Sequence, residues 1–134
     1  MTAPETRTVV IERDLPFPQD RVWKAISDPD LMAEWLMSTN FQPKVGEDFC
    51  FTAAWGDVEC RVIDIEPMVR LSYTWNAYEL RSEVTWTLSP TATGTHLKME
   101  QSGFLMNQKQ EFGGARAGWN RFLDNLETLL SRTM

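Results

Sequence analysis

The side chains that most often carry chemistry are scarce in this sequence: two cysteines, Cys50 and Cys60, and one histidine, His96, among 134 residues. A zinc site draws three or four ligands from Cys, His and carboxylates at close spacing. No such cluster occurs, so neither a metal nor any other cofactor is expected. A thiolate nucleophile needs a base beside it, and Cys60 has no histidine available for that role. His96 shares its strand face with Lys98 and Glu100, which makes it a residue of the solvated side. Ser27 precedes Asp28-Pro29 and reads as a cap or turn residue. Asp64 and Glu66 lie near a strand end and do not form the pair of carboxylates in unlike environments that hydrolysis requires. Gly113-Gly114 with Gly118 lacks the lysine of a phosphate loop and the strand that feeds one, so it reads as a hinge. Acid–base or nucleophilic catalysis is therefore not the leading expectation.

The sequence is rich instead in large apolar side chains at regular spacing. Between Phe49 and Gln101 the period is two. Leu71, Tyr73 and Trp75 alternate with Ser72, Thr74 and Asn76; Val84, Trp86 and Leu88 alternate with Glu83, Thr85 and Thr87; Leu97, Met99 and Gln101 alternate with His96, Lys98 and Glu100. An antiparallel sheet with one wet and one dry face is written this way. At the hairpin around Trp55-Gly56, pairing Phe51 with Cys60, Phe49 with Val62 and Ala53 with Val58 gathers the apolar residues on one face. Cys50, Thr52, Glu59 and Arg61 then fall on the other. The two cysteines point to opposite faces, which rules out a disulfide between them. Ile63 and Ile65 leave this phase, and a β-bulge near Val62 is expected.

Helices flank the strands. Thr8–Asp14 reads as a first strand stopped by Pro16 and Pro18. Val22, Trp23 and Ile26 share a helix face, Asp28-Pro29-Asp30 breaks and recaps the chain, and Leu31, Met32, Trp35 and Leu36 continue in a second short helix. From Gly114 onward, Phe122, Leu123, Leu126, Leu129 and Leu130 follow Trp119 at offsets of 3, 4, 7, 10 and 11, a long amphipathic helix. The segment Phe104–Phe112 before it is expected to act as a flap, with Leu105 and Met106 exposed enough to allow a homodimer contact.

A chain of 134 residues forms one domain, here residues 1–134, and buries roughly two-thirds of its unfolded surface without staples. The net charge of −6 opposes nucleic acid and anionic membranes, both of which require clustered cations. The longest apolar runs are far shorter than the roughly 20 residues of a bilayer span, and the start MTAPETRTVV has no secretory core. A cytoplasmic location is expected.

The run Arg21–Leu36 (RVWKAISDPDLMAEWL) resembles the first helices of the SRPBCC, or START-like, superfamily, in the branch named for heat-shock protein 90 ATPase activator homologues. Val62–Pro67 (VIDIEP), Arg70–Trp75 (RLSYTW), Gly94–Leu97 (GTHL), Gln101–Phe104 (QSGF) and Gly118-Trp119 follow in that branch's order and spacing. The resemblance spans about Arg7 to Leu130. It implies an α+β helix-grip fold: a curved antiparallel sheet of about six strands wrapped around the C-terminal helix, with two short helices after the first strand and a cavity between sheet and helix.

The apolar faces converge on Trp35, Phe49, Phe51, Tyr73, Trp75, Trp86, Met99, Trp119 and Phe122, while Tyr73 and Gln101 could orient a polar group. Taken singly, each of these residues is better explained by plain core packing, and periodicity does not separate a filled interior from an open one. With the cavity that the resemblance implies, the leading expectation is noncatalytic binding of a small hydrophobic or aromatic molecule. A protein-interaction module related to chaperone activation is one alternative. The eukaryotic activator's additional N-terminal domain is missing from this sequence, which counts against it. An enzyme acting on a polyketide-like or aromatic substrate, as a cyclase or hydrolase, is the other; Glu59, Arg61 or Asp64 would have to project into the cavity.

Overall fold

The computed structural model describes residues 5–132, so both ends of the expected domain, including the first four residues of the stretch that shows no secretory core, lie outside the described residues. In chain order the elements are β1 (Thr6–Leu15), α1 (Gln19–Ser27), α2 (Pro29–Trp35), β2 (Ser38–Thr39), β3 (Asp48–Ala53), β4 (Gly56–Glu66), β5 (Arg70–Ala77), β6 (Leu80–Pro90), β7 (Thr95–Leu105) and α3 (Lys109–Arg132). The break between the two short helices has the expected cause. Asp28 caps α2, its carboxylate accepting from Asp30 N at 2.9 Å, and Pro29 occupies the first helical turn, where its missing N–H costs nothing.

The strands form one antiparallel sheet in the order β1-β7-β6-β5-β4-β3-β2. It has seven strands rather than six because the two-residue β2 adds to the β3 edge. The period-two faces fall as the alternation demands: Leu71, Tyr73, Trp75, Val84, Trp86, Leu88, Leu97, Met99 and Gln101 are all buried. Together with α3 laid over this face, the arrangement is the helix-grip fold.

Two details depart from expectation. The β3–β4 hairpin pairs Phe51 with Val58, Phe49 with Cys60 and Ala53 with Gly56, not Phe51 with Cys60, Phe49 with Val62 and Ala53 with Val58. The chain reverses through two residues, Ala54 and Trp55, where the expected pairing needs a four-residue loop. A slip of two preserves side-chain parity, so the apolar and polar sets are unchanged and Cys50 and Cys60 are free thiols on opposite faces. The register shift between Val62 and Asp64 against β5 is the expected bulge, and it leaves Ile63 exposed.

The second departure concerns α3, which begins at Lys109, five residues before Gly114. The segment Phe104–Phe112 is therefore not a flap, and Gly113-Gly114 is not a hinge ahead of the helix. Tertiary contacts override the glycines' poor helix propensity. Phe112 packs edge-on against Phe104 at 5.5 Å, and the Arg7 guanidinium lies 4.1 Å from the centre of the Phe112 ring. Gln108 accepts from Leu105 N at 2.8 Å and donates to Glu79 O at 3.4 Å, tying the turn to the β5–β6 connection. Farther along α3, Arg13 of β1 reaches Asp124 at 2.7 Å.

A second bulge interrupts β1–β7. Arg7 pairs with Phe104 and Thr8 with Ser102, which leaves Gly103 unpaired at φ +109. A Cβ there would lie 2.6 Å from Arg81 O, so both the backbone angle and the close approach require glycine. No helix is long and apolar enough to cross a membrane among the described residues.

Candidate ligand-binding cleft

Six of the ten expected site residues belong to a continuous packed core. Trp35 meets Trp86 edge-on at 5.7 Å. Phe49 touches Phe51 at 5.5 Å and Tyr73 at 5.4 Å. Met99 is fully buried and pairs with Trp86 across β6–β7. The polar atoms here are satisfied internally: Trp35 Nε1 donates to Ala25 O at 2.8 Å, and Trp86 Nε1 donates to the Tyr73 hydroxyl at 2.9 Å. Burial pushes the Tyr73 phenol well above its ordinary range, so it stays neutral. Tyr73 thus orients Trp86.

The other four, Trp75, Gln101, Trp119 and Phe122, line a cleft of about 320 Å³ between the sheet and the first half of α3. Met37, Trp55, Leu80, Glu111, Gly114, Ala115 and Gly118 complete its wall. Positions 114, 115, 118, 119 and 122 fall on one face of α3 at offsets of 1, 4, 5 and 8, pairing small residues with large aromatic ones along a single stripe. A Cβ built on Gly114 or Gly118 would meet no heavy atom within 4 Å, so the space over these residues is open and nothing in the protein's own packing asks for glycine. Along the chain these glycines look like punctuation, which hides their place on the cleft wall. Their shared helical face with Trp119 and Phe122 is the signal that would have found them.

Gln101 links the cleft to the core. Its side-chain oxygen accepts from Trp119 Nε1 at 2.7 Å, its nitrogen donates to Ser82 Oγ at 3.0 Å, and Ser82 in turn donates to Trp75 O at 2.6 Å. This chain fixes the rings of Trp75 and Trp119, whose centroids lie 5.0 Å apart. An amide NH2 has two donors, and among the described residues Gln101 uses one of them, toward Ser82. Among the described residues, Glu111 is the one ionisable side chain on the cleft wall.

The remaining polar candidates lie elsewhere. Glu59 and Arg61 border an open groove of about 490 Å³ on the sheet, together with Asp48, Thr74 and Asn76. Arg61 Nε pairs with Asp48 at 2.7 Å, which holds the Asp48 carboxyl below its usual range. Asp64 and Glu66 both pair with Arg70, at 2.6 and 3.2 Å. The Ser27 hydroxyl donates to Trp23 O inside α1. Burial raises the Cys60 thiol far above neutrality, the opposite of what a nucleophile needs. His96 sits between two carboxylates, Asp14 at 2.7 Å and Glu12 at 3.0 Å, which raise its pKa above 6.5. Both come from β1, more than eighty residues away in sequence, so no local spacing announces them. Among the described residues no group of three or more His, Cys, Asp and Glu side chains could hold a metal ion.

Residues 16–131 match the family described as Activator of Hsp90 ATPase homolog 1-like protein. The chain belongs to that family. Protein MLL2253 from Mesorhizobium loti is similar over 96% of this chain and 99% of its own, with 50% identity and a TM-score of 0.92. CalU16 from Micromonospora echinospora is 26% identical over 95% of this chain and 78% of its own, with a TM-score of 0.83. DynU16, from the dynemicin biosynthetic locus, is 26% identical over 93% of this chain but 47% of its own length, with a TM-score of 0.85. No curated protein matches this chain. The Activator of Hsp90 ATPase homolog 1-like family shares this SRPBCC-type fold, a fold of ligand-binding domains, and in the present member the cleft at α3 occupies the place between sheet and helix.

Proposed function

We propose that this protein binds a small hydrophobic or aromatic molecule, without chemical conversion, in the cleft between the sheet and the first half of α3. The observation that carries this reading is a wall of Trp75, Trp119 and Phe122 beside Gly114 and Gly118, where the helix presents open space instead of side chains. Helix glycines each cost about 1 kcal/mol relative to alanine, and an occupant gives that cost a purpose. A cleft of about 320 Å³ is at the small end of ligand sites, which start near 300 Å³. Apolar burial at roughly 25 cal/mol per Å² supports micromolar affinity once ordering costs are met. The remaining Gln101 N–H offers one contact for an acceptor atom on the ligand. With Glu111 as its one ionisable group among the described residues, the wall lacks the second acid or base that hydrolysis or cyclisation would employ.

Thermal unfolding against fatty acids, single-ring and fused-ring aromatics tests the reading. A ligand specific to the folded state raises the midpoint, by about 2.7 kcal/mol of stability at a hundredfold excess over Kd. The shift is expected for one chemical class and is lost in Trp75→Ala. No shift with any class sends the search to protein partners.

A further inference from the structure

We propose that Tyr78 is a positioning residue for this cleft: its hydroxyl latches the Ala54–Trp55 turn, holding the Trp55 indole as the adjustable wall that controls passage of apolar molecules. This rests on the cleft being a binding site. Trp55 is the exposed one of the six tryptophans, 52% accessible, yet it lines the cleft. Across from it α3 presents Gly114 and Gly118, which have no side chains to move. The position of Trp55 therefore sets the width of the opening.

What holds Trp55 there is unusual for a surface turn. Tyr78 adopts φ +55, a left-handed conformation that side chains resist. The residue is 75% exposed, so burial gives little in return. Its hydroxyl, however, donates to Trp55 O at 2.6 Å, and the two rings lie 6.1 Å apart. Gly56 makes room: at φ +143, a Cβ there would stand 3.1 Å from the Tyr78 hydroxyl.

The latch is anchored on one side only. Arg81 Nη1 donates to Tyr78 O at 2.8 Å and Leu80 O at 3.1 Å, and Gln108 reaches Glu79 O, so the β5–β6 turn is tied to β6 and to the start of α3. Outside its own hairpin ladder, the Ala54–Trp55 turn has one hydrogen bond to the rest of the described residues, and Tyr78 supplies it. Removing that bond frees the wall while leaving its support intact.

Tyr78→Phe deletes the hydroxyl and keeps the ring. Uptake and release of 1-anilinonaphthalene-8-sulfonate, followed by stopped-flow fluorescence, should both accelerate about three- to tenfold, the factor corresponding to one ordinary hydrogen bond. The affinity should change less than the rates. Acrylamide quenching of tryptophan emission should rise in Tyr78→Phe and lose that increment when Trp55→Phe is added, a signature that a general loss of stability would not produce. Unchanged rates and unchanged quenching overturn the latch. So does a fall in the unfolding midpoint with Trp55 quenching unaltered, since Tyr78 would then be merely structural. If the unsubstituted protein takes up no probe, the cleft reading fails, and quenching alone decides whether Tyr78 holds Trp55.

Discussion

Under the paired helices α1 and α2 the sheet face is solid: Trp35 presses edge-on against Trp86, whose indole is held by Tyr73, and Phe49, Phe51 and Met99 fill the space around them. Under the first half of α3 the same sheet face, with Trp75 opposite Trp119 and Phe122 of the helix, opens into a cleft. Aromatic density does not distinguish the two ends. The element opposite does. Where α2 presents Met32 and Trp35 the interior is filled, and where α3 presents Gly114, Ala115 and Gly118 it is not. Trp119 belongs to both ends, touching Trp86 at 5.5 Å and Trp75 at 5.0 Å. A filled core beside an open cleft lets one end supply the stability that the other leaves out.

The sharpest way to break this contrast is to truncate a large residue at each end. Trp86→Ala should destabilise by about 3–5 kcal/mol in denaturant unfolding, because the closed end cannot collapse around the cavity left behind. Phe122→Ala, half-buried at the cleft, should lose only about 1 kcal/mol. Similar losses at both positions would mean that the two ends are packed alike. Next in size, Tyr73→Phe keeps the ring but removes the acceptor for the buried Trp86 N–H, for an expected loss of about 1–3 kcal/mol with little change in probe affinity. If affinity fell and stability did not, Tyr73 would serve a ligand instead of the core.

Gly114→Ala and Gly118→Ala act in the opposite direction. Each should raise stability by about 0.5–1 kcal/mol, since the helix gains a better former and the new methyl meets nothing. Each should also weaken binding of an apolar dye by occupying the cleft. A destabilised variant would show that the space is already taken. The smallest effect lies outside both ends. The carboxylates of Asp14 and Glu12 make His96 hold its proton more tightly in the folded state, so its contribution is complete below 6.5 and disappears as pH rises through the elevated folded value. Unfolding free energies measured across that interval should decline with pH, and the decline should flatten in His96→Gln without altering dye binding.

Much of the architecture is legible along the chain because it depends on local periodicity. The alternation in β5, β6 and β7 settles which residues face inward, and the spacing from Trp119 to Leu130 settles the long helix. Asp28-Pro29 marks the helix break through capping chemistry that needs no distant partner. Parity survived in the β3–β4 hairpin even though the register moved by two, since parity is a property of one strand and register depends on the turn joining two. The Phe104–Phe112 segment misleads because Phe112 and Gln108 find partners in β1, β7 and the β5–β6 turn, contacts that outweigh local propensity.

By itself, then, the sequence determined a sheet with one apolar face, an amphipathic helix to cover it and a set of aromatic residues turned inward, all consequences of side-chain period. Only the tertiary structure decided which of those residues meet bulk and which meet glycine. Whether two apolar faces close on each other depends on the volume each presents at the point of contact, and that is set by how α2 and α3 are placed over the sheet, by distances between elements that no pattern along the chain encodes.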